Sequence, residues 1–265
     1  MTTVAIRPSQ QLQQQAANKN EITLRGSVDI ITEFFHYALN NILYQRCIYP
    51  ASLFGFEKKY GLSLMVTKDE KLQEYLTQVL SQLDKWLVAG HVSRLVLVFL
   101  SEKTKEAKER WTFHVEQEKS YSHPATSSST SEQEDAPMSD ANQNGPRPDQ
   151  QHHPGQLQAQ EPAQPPQLHR VKNKNTKSMQ EITREIQSIM RQITASVSFL
   201  PVIDEIMAFD LLIYCDKQTT VPKSWEEELP SAYSLKESAC QQVRLSSFST
   251  SVHRVDSMVS YAMED

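Results

Sequence analysis

From Met179 to Pro201 the apolar residues fall at helical spacing: Ile182, Ile186, Ile189, Ile193 and Val197, with Met190 beside them. The stripe predicts a core helix long enough to lie across a sheet. Arg184, Ser188, Arg191 and Ala195 fall on its other side, an open surface that either stays solvated or receives another protein. Pro201 cannot continue the helix, because it lacks an N–H and its ring clashes with the preceding turn. Upstream, Val28, Ile31, Phe35, Ala38, Leu39 and Ile42 predict a helix from Ser27, its expected N-cap, to about Gln45. Leu72, Leu76, Val79, Leu80, Leu83 and Leu87 predict another, opened by a capping box of Thr67 and Glu70 and closed by Gly90 as a left-handed cap.

Between the helices the period changes to two. Leu95 to Leu100 is apolar on both faces and suits a strand covered on each side. Trp111, Phe113 and Val115 alternate with Thr112, His114 and Glu116, so the two segments predict a hairpin in a central antiparallel sheet. Lys58 to Thr67 predicts a short strand or hairpin arm, and Phe209 to Tyr214 a third strong strand. Val221, Pro222 and Trp225 punctuate a crossing segment. From Val243 to Tyr261 the alternation slips at Ser247 and Phe248 and again near Val255, so register is weakly specified and the segment can pair in more than one way.

Two stretches lack periodicity. Residues 1–20 are polar and Gln-rich and read as a flexible arm. Residues 118–176 hold most of the 13 prolines and no Ile, Phe or Trp, too little apolar surface to offset ordering, and read as a disordered insertion. Within it, Thr126 to Ser131 is a candidate phosphorylation tract.

Composition narrows the chemistry. A net charge of −5 without long basic runs argues against broad nucleic-acid binding, leaving Arg170 to Lys177 as the one stretch a nucleic-acid reading would use. No apolar run approaches the ~20 residues that span a bilayer, and no signal peptide opens the chain, so a soluble protein is expected. Cys47, Cys215 and Cys240 are too scattered for a disulfide framework or metal knuckle, which fits a reducing compartment. With six glycines there is no phosphate-cradling loop, and neither GxSxG nor HExxH occurs. His152 and His153 lack further ligands at metal spacing, His36 reads as structural, and a nucleophilic Cys47 or Cys215 lacks a nominated base. An enzyme is therefore not expected, and no cofactor is implied.

Six strings carry a specific likeness: ITLRGS from Ile22, FFHYALNNILYQRCIYP from Phe34, ERWTFHVE from Glu109, MRQITASVSFLP from Met190, FDLLIYCDK from Phe209 and SFSTSVHRVDSMVSY from Ser247. Over roughly Glu21–Glu118 and Lys177–Tyr261 they closely resemble the mitotic-arrest-deficient HORMA family of the spindle assembly checkpoint. The resemblance implies an α+β HORMA domain over 21–265, interrupted at 118–176: three helices packed on a central antiparallel sheet, with a mobile C-terminal safety belt at 218–265. In the open state the belt occupies one sheet edge. In the closed state it moves to the other side and traps a partner peptide against the strand around Phe209 to Tyr214.

The same resemblance implies a non-enzymatic checkpoint switch at the nucleus, kinetochore and cytoplasm. Its implied partners are a coiled-coil checkpoint scaffold, the activator of the anaphase-promoting complex and a checkpoint kinase or pseudokinase. A HORMA-like adaptor with an AAA+ remodelling ATPase and an open–closed self-dimer complete the set, with no nucleic acid and no membrane. Capture of the activator inhibits that ubiquitin ligase and delays anaphase. The implied positions are Arg191, Gln192 and Phe199 for dimerisation, and Phe209, Leu211, Ile213, Trp225 and Arg244 for the peptide edge and belt. Leu24 is implied in conversion, and Ser257 as a serine whose phosphorylation disfavours closure. The chain departs from the family in its long insertion, in Ser246 where a second basic residue is expected after Arg244, and in its short tail after Tyr261. The alternative within the fold is an adaptor of a translesion DNA polymerase or of the meiotic axis.

Overall fold

A computed structural model describes residues 22–118, 177–226, 233–235 and 240–263; the N-terminal arm and nearly all of the insertion lie outside them. Helix α1, Leu24–Gln45, is followed by the hairpin β1, Phe54–Lys59, and β2, Leu62–Thr67. Helix α2, Glu70–Val88, then leads into β3, Val92–Ser101, and β4, Ala107–Gln117. After the insertion come α3, Met179–Ala195, β5, Met207–Cys215, β6, Cys240–Ser249, and β7, His253–Ala262.

The main sheet is antiparallel in the order β5-β3-β4-β7-β6, and β1-β2 forms a separate pair. The separate pair is tied to α1 by two buried asparagines. Asn40 Oδ1 accepts from Thr67 N–H at 2.9 Å and Asn41 Oδ1 from Met65 N–H at 3.2 Å, so helix side chains stand in for a neighbouring strand.

Helix α3 buries Ile182, Ile186, Ile189, Met190 and Ile193, each contributing roughly 1.5–3 kcal/mol as an upper estimate. Ser178 and Glu181 cap its start reciprocally. The chain tightens into a 3₁₀ turn at Ser196–Ser198, which turns Val197 outward and buries Ser196 in its place. The apolar stripe is thus one turn shorter than its spacing predicts.

Two expected caps also differ. Helix α1 begins earlier than Ser27, with Thr23 accepting from Gly26 N–H at 3.1 Å. That frees Ser27, now buried, to meet Thr250 Oγ1 at 2.5 Å and His253 Nδ1 at 2.8 Å across the β6-β7 turn. Helix α2 is capped by Asp69, which accepts from Leu72 N–H, because Thr67 is held in β2 opposite Phe54. Gly90 takes the left-handed conformation its position predicts, at φ +76°.

The slip in the C-terminal alternation is a bulge. Register shifts between Arg244 and Ser247, so that Leu245 and Phe248, three residues apart, both reach the core. Phe248 meets Phe34 at 5.0 Å between ring centroids, and Phe34 also packs on Phe35 and Phe113. Elsewhere Arg46 and Glu109 form a buried ion pair, with Trp111 Nε1 and the Pro201 carbonyl completing its hydrogen bonds. These contacts fasten the end of α1 to β4 and to the segment leaving α3.

Candidate functional site

Strand β5 is the outermost strand on one side of the sheet, and the hydrogen-bond alternation shows what it presents. Glu102 N–H donates to the Ile206 carbonyl and Asp216 N–H to the His91 carbonyl, each at 3.0 Å. Residues of even number along β5 therefore spend their backbone groups on β3, and the backbone of Met207, Phe209, Leu211 and Ile213 faces outward. The side chains of those same residues turn toward the helices, where Leu211 is buried and Phe209 and Ile213 pack against the core. Three residues expected at the peptide edge, Phe209, Leu211 and Ile213, thus share one geometry.

Aromatic rings line the helix side of this edge. Phe209 meets Tyr49 at 6.1 Å and Tyr75 at 5.7 Å, both edge to face. Beyond Cys215 the chain is fastened by His91 Nδ1 to Asp216 at 2.8 Å, which holds that carboxyl below its usual range together with Thr219. Trp86 Nε1 then donates to the Thr220 carbonyl at 3.4 Å, and the Trp225 ring packs on Trp86. Further along, the Tyr233 hydroxyl bonds Asp210, whose carboxyl burial pushes up and this bond pulls down. Asp210 alternates with Leu211 and points to the opposite face of the sheet. The described contacts of Trp225 and Tyr233 therefore fall on opposite faces of the β5 edge, and β6 begins at Cys240 at the far end of the sheet.

The remaining expected residues lie elsewhere. Arg191 is exposed on α3, whereas Gln192 turns inward: its Oε1 accepts from Ser246 N–H at 2.6 Å and its Nε2 donates to Ser246 Oγ at 3.0 Å. Phe199 is 41% exposed, in the stretch that also exposes Val197, Val202 and Ile206. Arg244 lies on β6, four strands from β5, so it belongs to the C-terminal hairpin and does not line the edge. Leu24 opens α1, half-buried against the core. Ser257 is 1% exposed on β7 opposite Phe113, its hydroxyl without a hydrogen-bond partner.

Tyr49, Tyr75 and Trp86 were not among the expected site residues. The signal for the last two is their position: large aromatics along one edge of the leucine stripe of α2, Tyr75 three residues after Leu72 and Trp86 seven after Val79, which widen the apolar face. Burial pushes the Cys215 thiol up to about 11, against thiolate chemistry, and holds His36 below its ordinary value. No group of three or more His, Cys, Asp or Glu suited to a metal occurs among the described residues. No described helix is long and apolar enough to cross a membrane.

A five-stranded antiparallel sheet with β5 at one edge, packed against three helices, defines the class: residues 27–253 match the family model for the HORMA domain, a protein-binding adaptor fold. The mitotic spindle assembly checkpoint protein MAD2A of Dictyostelium discoideum is 38% identical over 254 residues, 96% of this chain and 100% of that one. MAD2A of Homo sapiens is 38% identical over 247 residues, 93% and 96% of the two chains. Among solved structures, a chain of the mitotic checkpoint complex matches with a TM-score of 0.65 at 33% identity, covering 90% of this chain and 99% of that one. C. elegans HTP-2 bound to a HIM-3 closure motif matches with a TM-score of 0.61 over 91% of this chain and 92% of that one, and at 11% identity shows the fold alone. The chain belongs to the HORMA family and, within it, to the Mad2 spindle assembly checkpoint proteins. Other roles hosted by this fold are less supported.

Proposed function

We propose that the chain captures an extended peptide along β5 and retains it beneath the segment from Gln218 to the β6-β7 hairpin, without catalysing a reaction. The observation that carries this reading is the outward backbone of Phe209, Leu211 and Ile213 beside a segment fastened on both faces of their strand. A peptide added there satisfies unpaired backbone groups, and the aromatic wall selects its side chains. Docking of the β6-β7 hairpin on β4, with β5 left at the edge, is the arrangement the resemblance implies for the closed state.

The partners follow the family: motifs of the coiled-coil checkpoint scaffold and of the anaphase-promoting-complex activator, with the kinase or pseudokinase joining the captured complex. The relatives' names and the checkpoint-complex neighbour support this choice, and with it action at the kinetochore, nucleus and cytoplasm. The adaptor and AAA+ ATPase would return the chain to the open state, with Leu24 among the residues displaced. Exposed Arg191 and Phe199 support self-association through α3.

The test is binding of the purified chain to peptides from the scaffold and the activator, beside a version truncated before Val243. Slow release that truncation abolishes is the expected result. No binding by a folded full-length chain would leave the HORMA fold standing and transfer the reading to a different peptide-binding adaptor.

A further inference from the structure

The face of the sheet turned away from the helices carries two arginines that no carboxylate answers. Phe113 packs on Phe34 in the core, so its alternate neighbours Arg110, Thr112 and His114 point the other way. Arg94 stands between His114 on β4 and Tyr214 on β5, and opposite residues share a face, so all three form one row on this outer side. Tyr214 ends the row at the β5 edge. The Arg94 guanidinium lies 3.8 Å over the centre of the Tyr214 ring, and Arg110 Nη2 donates to the Tyr214 hydroxyl at 3.0 Å. Both guanidinium carbons thus lie within 6.0 Å of one ring centre.

The acid nearest along the row is committed elsewhere. Asp256, opposite His114, gives its two oxygens to Arg254 at 3.0 and 2.9 Å. Among the described residues neither Arg94 nor Arg110 forms an ion pair, with Asp210 and Glu116 of the same face included, and Arg110 Nε is buried without a hydrogen-bond partner. An arginine kept for the fold alone brings its acceptor with it, because a buried donor left unmet is destabilising.

We propose that Arg94 and Arg110 receive a phosphorylated serine or threonine of the captured peptide, on the side chain that the added strand turns to the outer face beside Tyr214. This rests on the capture reading above and names a chemistry for its peptide. A strand paired to β5 sets every second side chain on that face, about 5 Å from the side chain it stands opposite. A phosphate fits the pair better than a carboxylate does. It brings up to two charges and three acceptor oxygens to two guanidiniums, whereas one carboxylate neutralises only one of them. Stacking on Tyr214 holds the planar fork of Arg94 in place before the peptide arrives, so less side-chain freedom is lost on binding.

The experiment measures anisotropy of fluorescent scaffold peptides with the full-length chain, each peptide position carrying alanine, aspartate or phosphoserine in turn. Phosphoserine at one position should tighten binding about 10-fold over alanine, and aspartate there should do less. Arg94→Gln should remove that gain while leaving the alanine peptides bound as by the parent, Arg94→Lys should keep part of it, and Arg110→Gln should lower it. Arg244→Gln, on the same face but three strands from Arg94, should keep the gain in full. No position with a gain, a gain that survives Arg94→Gln, an equal gain from aspartate, or an equal loss in Arg244→Gln would overturn the site while leaving capture intact. Failure of the full-length chain to bind any unmodified scaffold or activator peptide would overturn the capture reading, and the phosphate site with it.

Discussion

Trp225 packs edge to face on Trp86, with ring centroids 5.2 Å apart, and so joins the crossing segment to the helix layer beside the β5 edge. Trp86 is nearly buried in α2 and its indole N–H also holds the Thr220 carbonyl, so the helix provides the fixed half of the pair. On the proposed capture reading, this anchor holds the segment over a bound strand through contacts that the bound strand does not itself make.

Replacing Trp225 by Ala removes that anchor while leaving the helix layer intact. An aromatic pair contributes about 0.5–1.5 kcal/mol beyond its buried area, so peptide release is expected to accelerate by roughly 5- to 50-fold once lost area is added. Stopped-flow dissociation from the variant and the parent measures it; equal release rates would remove Trp225 from the retaining segment.

His253 predicts a pH dependence. Its ring is buried beside Ser27, and burial holds its pKa below the ordinary 6.5. The unfolded state therefore binds the proton more readily, so this stability is fully present above pH 6.5 and declines as pH falls toward the folded value. His36 shifts in the same direction, also by burial. Urea midpoints should drop between about pH 7.5 and about pH 5.5, and His253→Asn should flatten part of that slope. A slope unchanged in the variant would place the dependence elsewhere.

Ser257 separates size from charge. Its hydroxyl makes no hydrogen bond, so Ser257→Ala is expected to change stability by less than about 0.5 kcal/mol. Ser257→Asp places an unpaired carboxylate between β4 and β7 and is expected to cost about 3 kcal/mol or more, by forcing the hairpin off or the acid to protonate. Thermal unfolding of the two variants, with exchange of the β7 amides, reads the difference. A phosphate on Ser257 would act as the carboxylate does, only more strongly.

Arg191 and Gln192 are neighbours with opposite roles in the monomer. Gln192→Ala breaks both bonds to Ser246 at the β6 bulge and is expected to cost about 1–3 kcal/mol and to speed exchange of the β6 amides. Arg191→Ala touches no described partner and is expected to leave the monomer within about 0.5 kcal/mol while weakening self-association in sedimentation experiments. A destabilised Arg191→Ala monomer would contradict this division.

Much of this arrangement is legible in the sequence because it rests on periodicity. The α3 stripe, the doubly covered β3 and the phase slip before Phe248 each survive as a helix, a strand and a bulge. Features set by long-range partners are not legible. Ser27 reads as a cap because serine caps helices, yet its hydroxyl is claimed by Thr250 and His253, more than 220 positions away. Thr67 reads as half of a capping box, but pairing in the β1-β2 hairpin takes its backbone first. Gln192 shares the outer part of α3 with Arg191, and only the position of the β6 bulge shows that it faces inward. Local propensity gives way wherever a tertiary hydrogen bond competes for the same group.

The outward and inward halves of β5 offer the most direct test of peptide capture. Amide exchange across Met207–Cys215, with and without scaffold peptide, should show Phe209, Leu211 and Ile213 slowed by the peptide. Asp210, Leu212 and Tyr214, already paired with β3, should stay protected throughout. Bound peptide that leaves Phe209, Leu211 and Ile213 exchanging as in the free chain would contradict strand addition at this edge.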